Sequence, residues 1–370
     1  MNVRVLANPR QGTPGMVVLP AGGYQRAKRV ITAWPGYAPT PLHDLPGLAE
    51  EAGVGVLRIK DESPRFGLGS FKALGGAYAV LHVALNALAR AGVAATPDDL
   101  LQGRRAAPEV TVTCATDGNH GRSVAWGARR IGVRAVIFVH QTVSAGRVAA
   151  IAGFGAEVRR VRGTYDDAVR AASAAAANKG WTVVSDTSWP GYTEIAREVM
   201  QGYRMMADEA LDQWQGPPPT HVLVQGGVGG AAAAVSVQLR ARLDPAPALV
   251  VVEPDRAACL LASAEAGRLT AVGGALDTVM AGLACGEPSL LAWQELERAA
   301  HAFVAIPDEA AIHAMRRLHA LGIISGESGA AGLGALLAGG AAMGLGPDSR
   351  VLLFSTEGAT DPDLYTRLVA

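Results

Sequence analysis

Three glycine-bearing segments of the 370-residue chain, two of which also carry ionisable side chains, show patterns suited to anion binding and proton transfer. In QGGVGGAAAAV (Gln225–Val235), an apolar strand runs through glycines into a helix that starts near residue 230. Such a turn aims backbone N–H groups and the positive end of the helix dipole at one point, an anion site best suited to phosphate. Gly227, Gly229 and Ala232 also satisfy the dinucleotide pattern GxGxxA, and Glu253 ends the next strand where a ribose-binding acid would stand, so a nicotinamide-dependent dehydrogenase is a rival reading. No Gly-Lys-Ser/Thr follows, which excludes a Walker loop. In GLGSFKALGGAY (Gly67–Tyr78), Lys72 falls in the first turn of a helix that is apolar at Phe71, Leu74 and Tyr78. Loss of hydration there is expected to lower the lysine pKa, as a Schiff-base lysine requires; an ordinary solvated lysine is the alternative. In TCATDGNHGRSVAWGARRIG (Thr113–Gly132), a strand ends in the polar turn Thr116-Asp117-Gly118-Asn119-His120 and a helix begins. Asn119 could meet a ligand hydroxyl and the free helix-start amides a carboxylate, against the alternative of a plain N-cap turn. His120 reads as a structural, hydrogen-bonding histidine. Asp186, in SDTSWPGY after a strand, offers a second negative group or an Asx turn before Trp189-Pro190.

The elements that must position these groups alternate between strand and helix. Strands are expected at 54–59, 110–115, 135–139, 156–161, 182–186, 221–225, 248–253 and 351–355, and helices at 70–91, 120–131, 144–153, 164–179, 192–214 and 230–243. This βαβα rhythm implies parallel sheets with right-handed crossovers. The Pro- and Gly-rich stretch to about residue 50 is expected to wrap the surface before regular structure begins. The length suits two domains. With 33 basic and 33 acidic side chains the formal charge is zero, which argues against nucleic acid or an acidic membrane as partner. No segment has the apolar run of a signal peptide or membrane span. Cys114, Cys259 and Cys285 are too widely spaced for a disulfide framework or metal knuckle and read as buried thiols in a reducing cytoplasm. No cluster has metal-ligand spacing, so no metal is expected. The 45 glycines, well above an average share, point to many tight backbone approaches, expected around a ligand at Gly75, Gly76, Gly118, Gly121, Gly226 to Gly230, Gly326 and Gly329.

Ser70-Phe71-Lys72, the Asp-Gly-Asn-His turn, the Gly-Gly-Val-Gly-Gly loop and the closing FSTEGATDPD together resemble the fold type II pyridoxal-phosphate-dependent enzymes, in that chain order. KDESPRFGLGSFKALGGAY, ATDGNHGRSVAW, SDTSWPGYTEI, MAGLACGEPS and SGESGAAGLG resemble its diaminopropionate ammonia-lyase branch. The resemblance implies an α/β fold of the tryptophan synthase β-like type with two parallel-sheet domains, residues 1–84 with 189–370 forming the larger and 85–188 the smaller, inserted one. Pyridoxal 5'-phosphate would lie in the cleft, held by Lys72 through a Schiff base. Gly226, Gly227, Val228, Gly229 and Gly230 would hold its phosphate, Asn119 its ring hydroxyl, and Ser355 its ring nitrogen, with Thr356 a close alternative. A neutral hydroxyl there leaves the nitrogen largely unprotonated.

The implied reaction is α,β-elimination of 2,3-diaminopropionate to pyruvate and two ammonia. Serine and threonine dehydratases resemble Ser-Ser-Gly-Asn-His where this chain has Thr116-Asp117-Gly118-Asn119-His120, and a substrate β-ammonium would compensate the added carboxylate. Lys72 and Asp117 would serve opposite faces of the cofactor, with Asp186 supplying or positioning a negative group. Glu327 is placed near the cofactor or at a helix cap, and Cys259 and Cys285 in the core. A serine or threonine dehydratase or racemase of the same fold is the alternative. A homodimer and domain closure over the amino-acid substrate are implied by the family alone.

Overall fold

Uninterrupted apolar runs form strands covered on both faces, and the computed structural model, which describes residues 3–370, builds two sheets from them. The strands are β1 (Arg4–Ala7), β2 (Leu42–Asp44), β3 (Val56–Asp61), β4 (Thr111–Ala115), β5 (Arg134–His140), β6 (Glu157–Val161), β7 (Thr182–Val183), β8 (His221–Gln225), β9 (Ala248–Pro254), β10 (Ala302–Ile306) and β11 (Arg350–Ser355). The larger, seven-stranded sheet runs β1-β10-β9-β8-β11-β3-β2, parallel except for its edge strands β1 and β2. The smaller runs β6-β5-β4-β7, all parallel. The α/β class with two parallel sheets is thus present. Along β8, Val222 and Val224 enter one apolar core while Leu223 enters another on the opposite face. Burial of both faces is why HVLVQ shows no polar alternation.

The chain departs from expectation in several places. The opening 50 residues hold regular structure: β1, β2, a helix at Ala21–Thr32 and another beginning at Pro46. In the first of these helices Tyr24, Ala27 and Ile31 are buried at helical spacing behind a proline N-cap. The segment expected as a strand over 182–186 pairs only at Thr182–Val183, which leaves Asp186 in a loop. The helix expected over 70–91 spans Ala73–Arg90, with Lys72 as its N-cap. It runs through the 84/85 junction without a break.

Several glycines expected near a ligand instead let helices approach one another. A Cβ on Gly75 would lie 2.7 Å from Val199 Cγ1, and one on Gly76 3.2 Å from Ser123 Cβ. These contacts press the helices Asn119–Ile131 and Glu194–Gln213 against Ala73–Arg90, fixing the direction in which that helix presents Lys72.

Candidate active site

Lys72 is held at the mouth of its helix by the end of β11. The Phe71 N–H donates to the Thr356 carbonyl at 3.1 Å, and Ser70 forms an antiparallel bridge with Glu357. The Lys72 Nζ donates to Asp186 Oδ2 at 2.6 Å and lies 5.0 Å from the Phe71 ring centre and 5.5 Å from that of Tyr203. Burial alone acts as expected and disfavours the ammonium, but the adjacent Asp186 carboxylate prevails and holds the Lys72 pKa above its ordinary value. The expected fall is therefore corrected: without ligand this lysine is charged. For Asp186 burial disfavours the charge, yet Lys72 beside it takes the carboxyl well below the usual range.

The Asp186 loop is fixed by Tyr192, whose hydroxyl donates to the Val183 carbonyl and accepts the Ser185 N–H, both at 2.9 Å. The carboxylate thus faces Lys72 and leaves the Asx-turn reading aside. Across the cavity, Thr116 Oγ1 accepts the N–H groups of Gly118 and Gly121 at 3.0 Å each and shapes the turn that presents Asp117. Asn119 lines the same cavity, and its amide donates to the Glu357 carboxylate, which also accepts the Ser328 N–H at 3.1 Å. His120 also lines the cavity; its Nε2 pairs with the Val184 carbonyl at 2.7 Å and its Nδ1 lies 3.8 Å from Asp186 Oδ2.

Gly226, Gly227, Val228 and Gly230 line the cavity floor between β8 and the helix Gly230–Arg242. Gly227 and Gly229 have φ of +59° and +96°, conformations that favour glycine. Gly229 itself lies outside the lining and packs toward Ala292 and Leu296. The first-turn amides of that helix have no intrahelical acceptor and face an anion's position. A buried amine above such a cradle, with carboxylates on either side, fits an aldehyde that carries a phosphate.

Two residues named from the sequence lie behind the cavity lining. Ser355 is fully buried, its hydroxyl donates to Ser325 Oγ at 2.8 Å, and it does not line the cavity, whereas its neighbour Thr356 does. A strand alternates its side chains, so the residue after β11 faces the opposite way. Glu327 is buried beside Arg147, with Oε1 3.9 Å from Nη2, and also lies behind the lining. Cys285 lines the cavity instead of joining the core, and burial pushes its thiol up to about 12. Glu253 accepts the N–H groups of Leu260 and Leu261 at 2.8 Å each and is fully buried, so it caps a helix and offers nothing to a ribose.

Sequence reasoning passed over Tyr165, Tyr203, Arg147 and Glu357, all of which line the cavity. Tyr165 follows a Thr164–Asp167 capping box, and that signal marked only a helix start. A Cβ on Gly118 would lie 3.3 Å from Arg147 Cδ, so the arginine lies across the Asp117–Gly118 turn.

A sequence profile described as "Pyridoxal-phosphate dependent enzyme" matches residues 33–357. The diaminopropionate ammonia-lyase of Escherichia coli strain K12 is 42% identical over 351 residues, covering 90% of this chain and 88% of its own. That of Salmonella typhimurium is 40% identical over 365 residues, covering 90% and 89%. The crystal structure of holo diaminopropionate ammonia lyase from Escherichia coli superposes with a TM-score of 0.92 at 37% identity, covering 100% of this chain and 96% of that one.

Proposed function

The chain belongs to the pyridoxal-phosphate-dependent enzyme family, and we propose that it eliminates ammonia from 2,3-diaminopropionate, giving pyruvate and two molecules of ammonia. The observation that carries this reading is the pair of carboxylates, Asp117 and Asp186, sharing one cavity with Lys72. A substrate with a second ammonium gives the additional carboxylate a partner; a hydroxyl substrate leaves it beside the substrate's own carboxylate.

Pyridoxal phosphate, when bound, supplies the electron sink for the charge that develops at the substrate's Cα. Lys72 would hold it covalently, the amides of Gly227, Val228 and Gly230 its phosphate, since those of Gly226 and Gly229 already donate to the carbonyls of Val252 and Gly226, and Asn119 its ring hydroxyl. Thr356 is better placed than Ser355 to meet its ring nitrogen, and either hydroxyl leaves that nitrogen without the proton a carboxylate would enforce. Arg147, lying across the Asp117 turn, takes the substrate carboxylate. Lys72 Nζ and an oxygen of Asp117 remove the α-proton from opposite faces, so both enantiomers react. Asp186 holds the Lys72 ammonium and so governs when that nitrogen yields its proton. The Cα–H electron pair becomes the Cα=Cβ bond, the Cβ–N pair departs with ammonia, and the released enamine hydrolyses to pyruvate and the second ammonia. Walls drawn from both sheets keep water from the reacting carbon.

The decisive experiment compares pyruvate formation from diaminopropionate and from serine. The expected preference in kcat/KM is at least roughly 100-fold for diaminopropionate, because buried charges built for one substrate are left unpaired by the other. Equal or reversed rates identify the dehydratase reading instead. Lys72→Ala is expected to abolish both turnover and the visible absorbance of purified protein. We further take residues 85–188 as the inserted smaller domain and the rest as the larger, and expect a cytoplasmic homodimer, on the family resemblance and the three unpaired cysteines. Light scattering checks the assembly.

A further inference from the structure

His140 lies outside the cavity lining yet touches Asp117, and we propose that it is the positioning residue that aims the Asp117 carboxylate at the substrate. The contact follows from sheet register. Ala115 pairs with Phe138 across β4 and β5, and the Thr116 N–H donates to the Phe138 carbonyl at 3.0 Å. The last residue of β5 therefore stands beside the turn that leaves β4, and His140 Nε2 lies 2.7 Å from Asp117 Oδ1. A carboxylate can only accept, so Nε2 carries the proton. The other ring nitrogen, Nδ1, lies 2.8 Å from Thr142 Oγ1, and this second hydrogen bond fixes the ring plane.

An Asp117 with one oxygen tethered keeps the other free for the cavity. A free carboxylate beside the Arg147 guanidinium, which also lines the cavity, would rotate toward that cation and away from the reacting carbon. The Asp117–His140–Thr142 chain thus has the logic of a base held by a third group, with the carboxylate as the base and the imidazole as its orienter.

The inference rests on Asp117 taking the α-proton of one enantiomer. Steady-state kcat and KM are therefore measured on both enantiomers of 2,3-diaminopropionate for the wild type, Asp117→Asn, His140→Leu and His140→Gln. Asp117→Asn identifies the dependent enantiomer. His140→Leu is expected to lower kcat for that same enantiomer by roughly 10- to 100-fold, the usual cost of losing an outer orienting partner. KM and the other enantiomer are expected to stay within about threefold. His140→Gln, whose amide can donate to Asp117, is expected to recover most of the loss. Equal slowing of both enantiomers by His140→Leu, or none, while Asp117→Asn stays selective, overturns the proposal. If Asp117→Asn itself slows both equally, the base assignment fails, a separate result. Should His140→Leu not fold, as judged by its cofactor absorbance, His140→Asn takes its place, being polar but too short to make the contact.

Discussion

Burial leaves its clearest mark at the carboxyl of Glu327. Its side chain is 2% exposed, its Oε1 has no hydrogen-bond partner among the described residues, and the guanidinium of Arg147 comes no nearer than 3.9 Å. Burial first, and the charge of Glu357 second, raise its pKa to about 7. A carboxyl with a folded-state pKa above its unfolded value binds a proton that the unfolded chain lacks, so stability falls as pH rises from about 4.5 to about 7 and levels off beyond. Glu327→Gln removes that penalty. Chemical denaturation is expected to find the variant close to wild type at pH 5 and more stable by roughly 3 kcal/mol at pH 8. An advantage independent of pH would show that Glu327 is ionised throughout. Residue types were the most legible layer in the sequence: Lys72, Asp117, Asp186 and Asn119 all reach one cavity. What stayed hidden were contacts between segments distant in sequence. Nothing in the turn 116–120 announces His140, and nothing around Lys72 announces that a carboxylate 114 positions away raises its pKa.

At the level of elements, the glycine loop after β8 is where conformation and packing both forbid a side chain. Gly229 holds φ +96°, and a Cβ there would lie 2.9 Å from that of Ala292. Gly229→Ala therefore meets left-handed strain of about 1–3 kcal/mol together with a clash. Its expected outcome is a loss of stability of that order in urea unfolding, with at least about tenfold weaker binding of pyridoxal phosphate as the loop shifts. An unchanged affinity would mean that the loop's shape is not what holds the phosphate. This loop was readable because glycine spacing, strand and helix agree locally. The strand β10, AFVAI, was not: all five residues are buried, and a short unbroken apolar run flanked by alanine-rich helix carries no period to distinguish strand from helix. The helix Ala21–Thr32 was hidden for the opposite reason. Its buried stripe is in register, but Gly22, Gly23 and the flanking prolines lower its propensity, and packing of Tyr24 and Ile31 into the main core overrides them.

Across the whole molecule, the cavity is a seam between the two sheets: Asp117, Asn119 and Arg147 come from segments around the smaller, and Lys72, the glycine loop, Thr356 and Glu357 from segments around the larger. The parallel α/β class was legible from the alternation of strands and helices, while the strand order of the larger sheet, which includes the unforeseen β1, β2 and β10, and the closeness of the seam were not, because the seam depends on how the two sheets dock. Two kinds of contact cross it. The Asn119 amide meets the Glu357 carboxylate directly, whereas Arg147 stands 3.9 Å from both Glu327 and Asp361. Both separations are beyond hydrogen-bond reach, so the Arg147 side of the seam can part or tighten without breaking a hydrogen bond there. A substrate carboxylate bound by Arg147 adds an attraction present only in the liganded state, which shifts the molecule toward the tighter arrangement. Hydrogen–deuterium exchange tests this with alanine, an amino acid that has no β-leaving group and so cannot be turned over by elimination. Saturating alanine on the holoenzyme is expected to slow exchange across the helix Ala145–Ala152 and the turn 116–120, leaving the strands of the larger sheet unchanged. In Arg147→Ala the protection of that helix is expected to disappear while alanine still perturbs the cofactor absorbance. Protection that persists in the variant would assign the closure to contacts other than Arg147, and protection confined to the glycine loop would mean that the seam does not move.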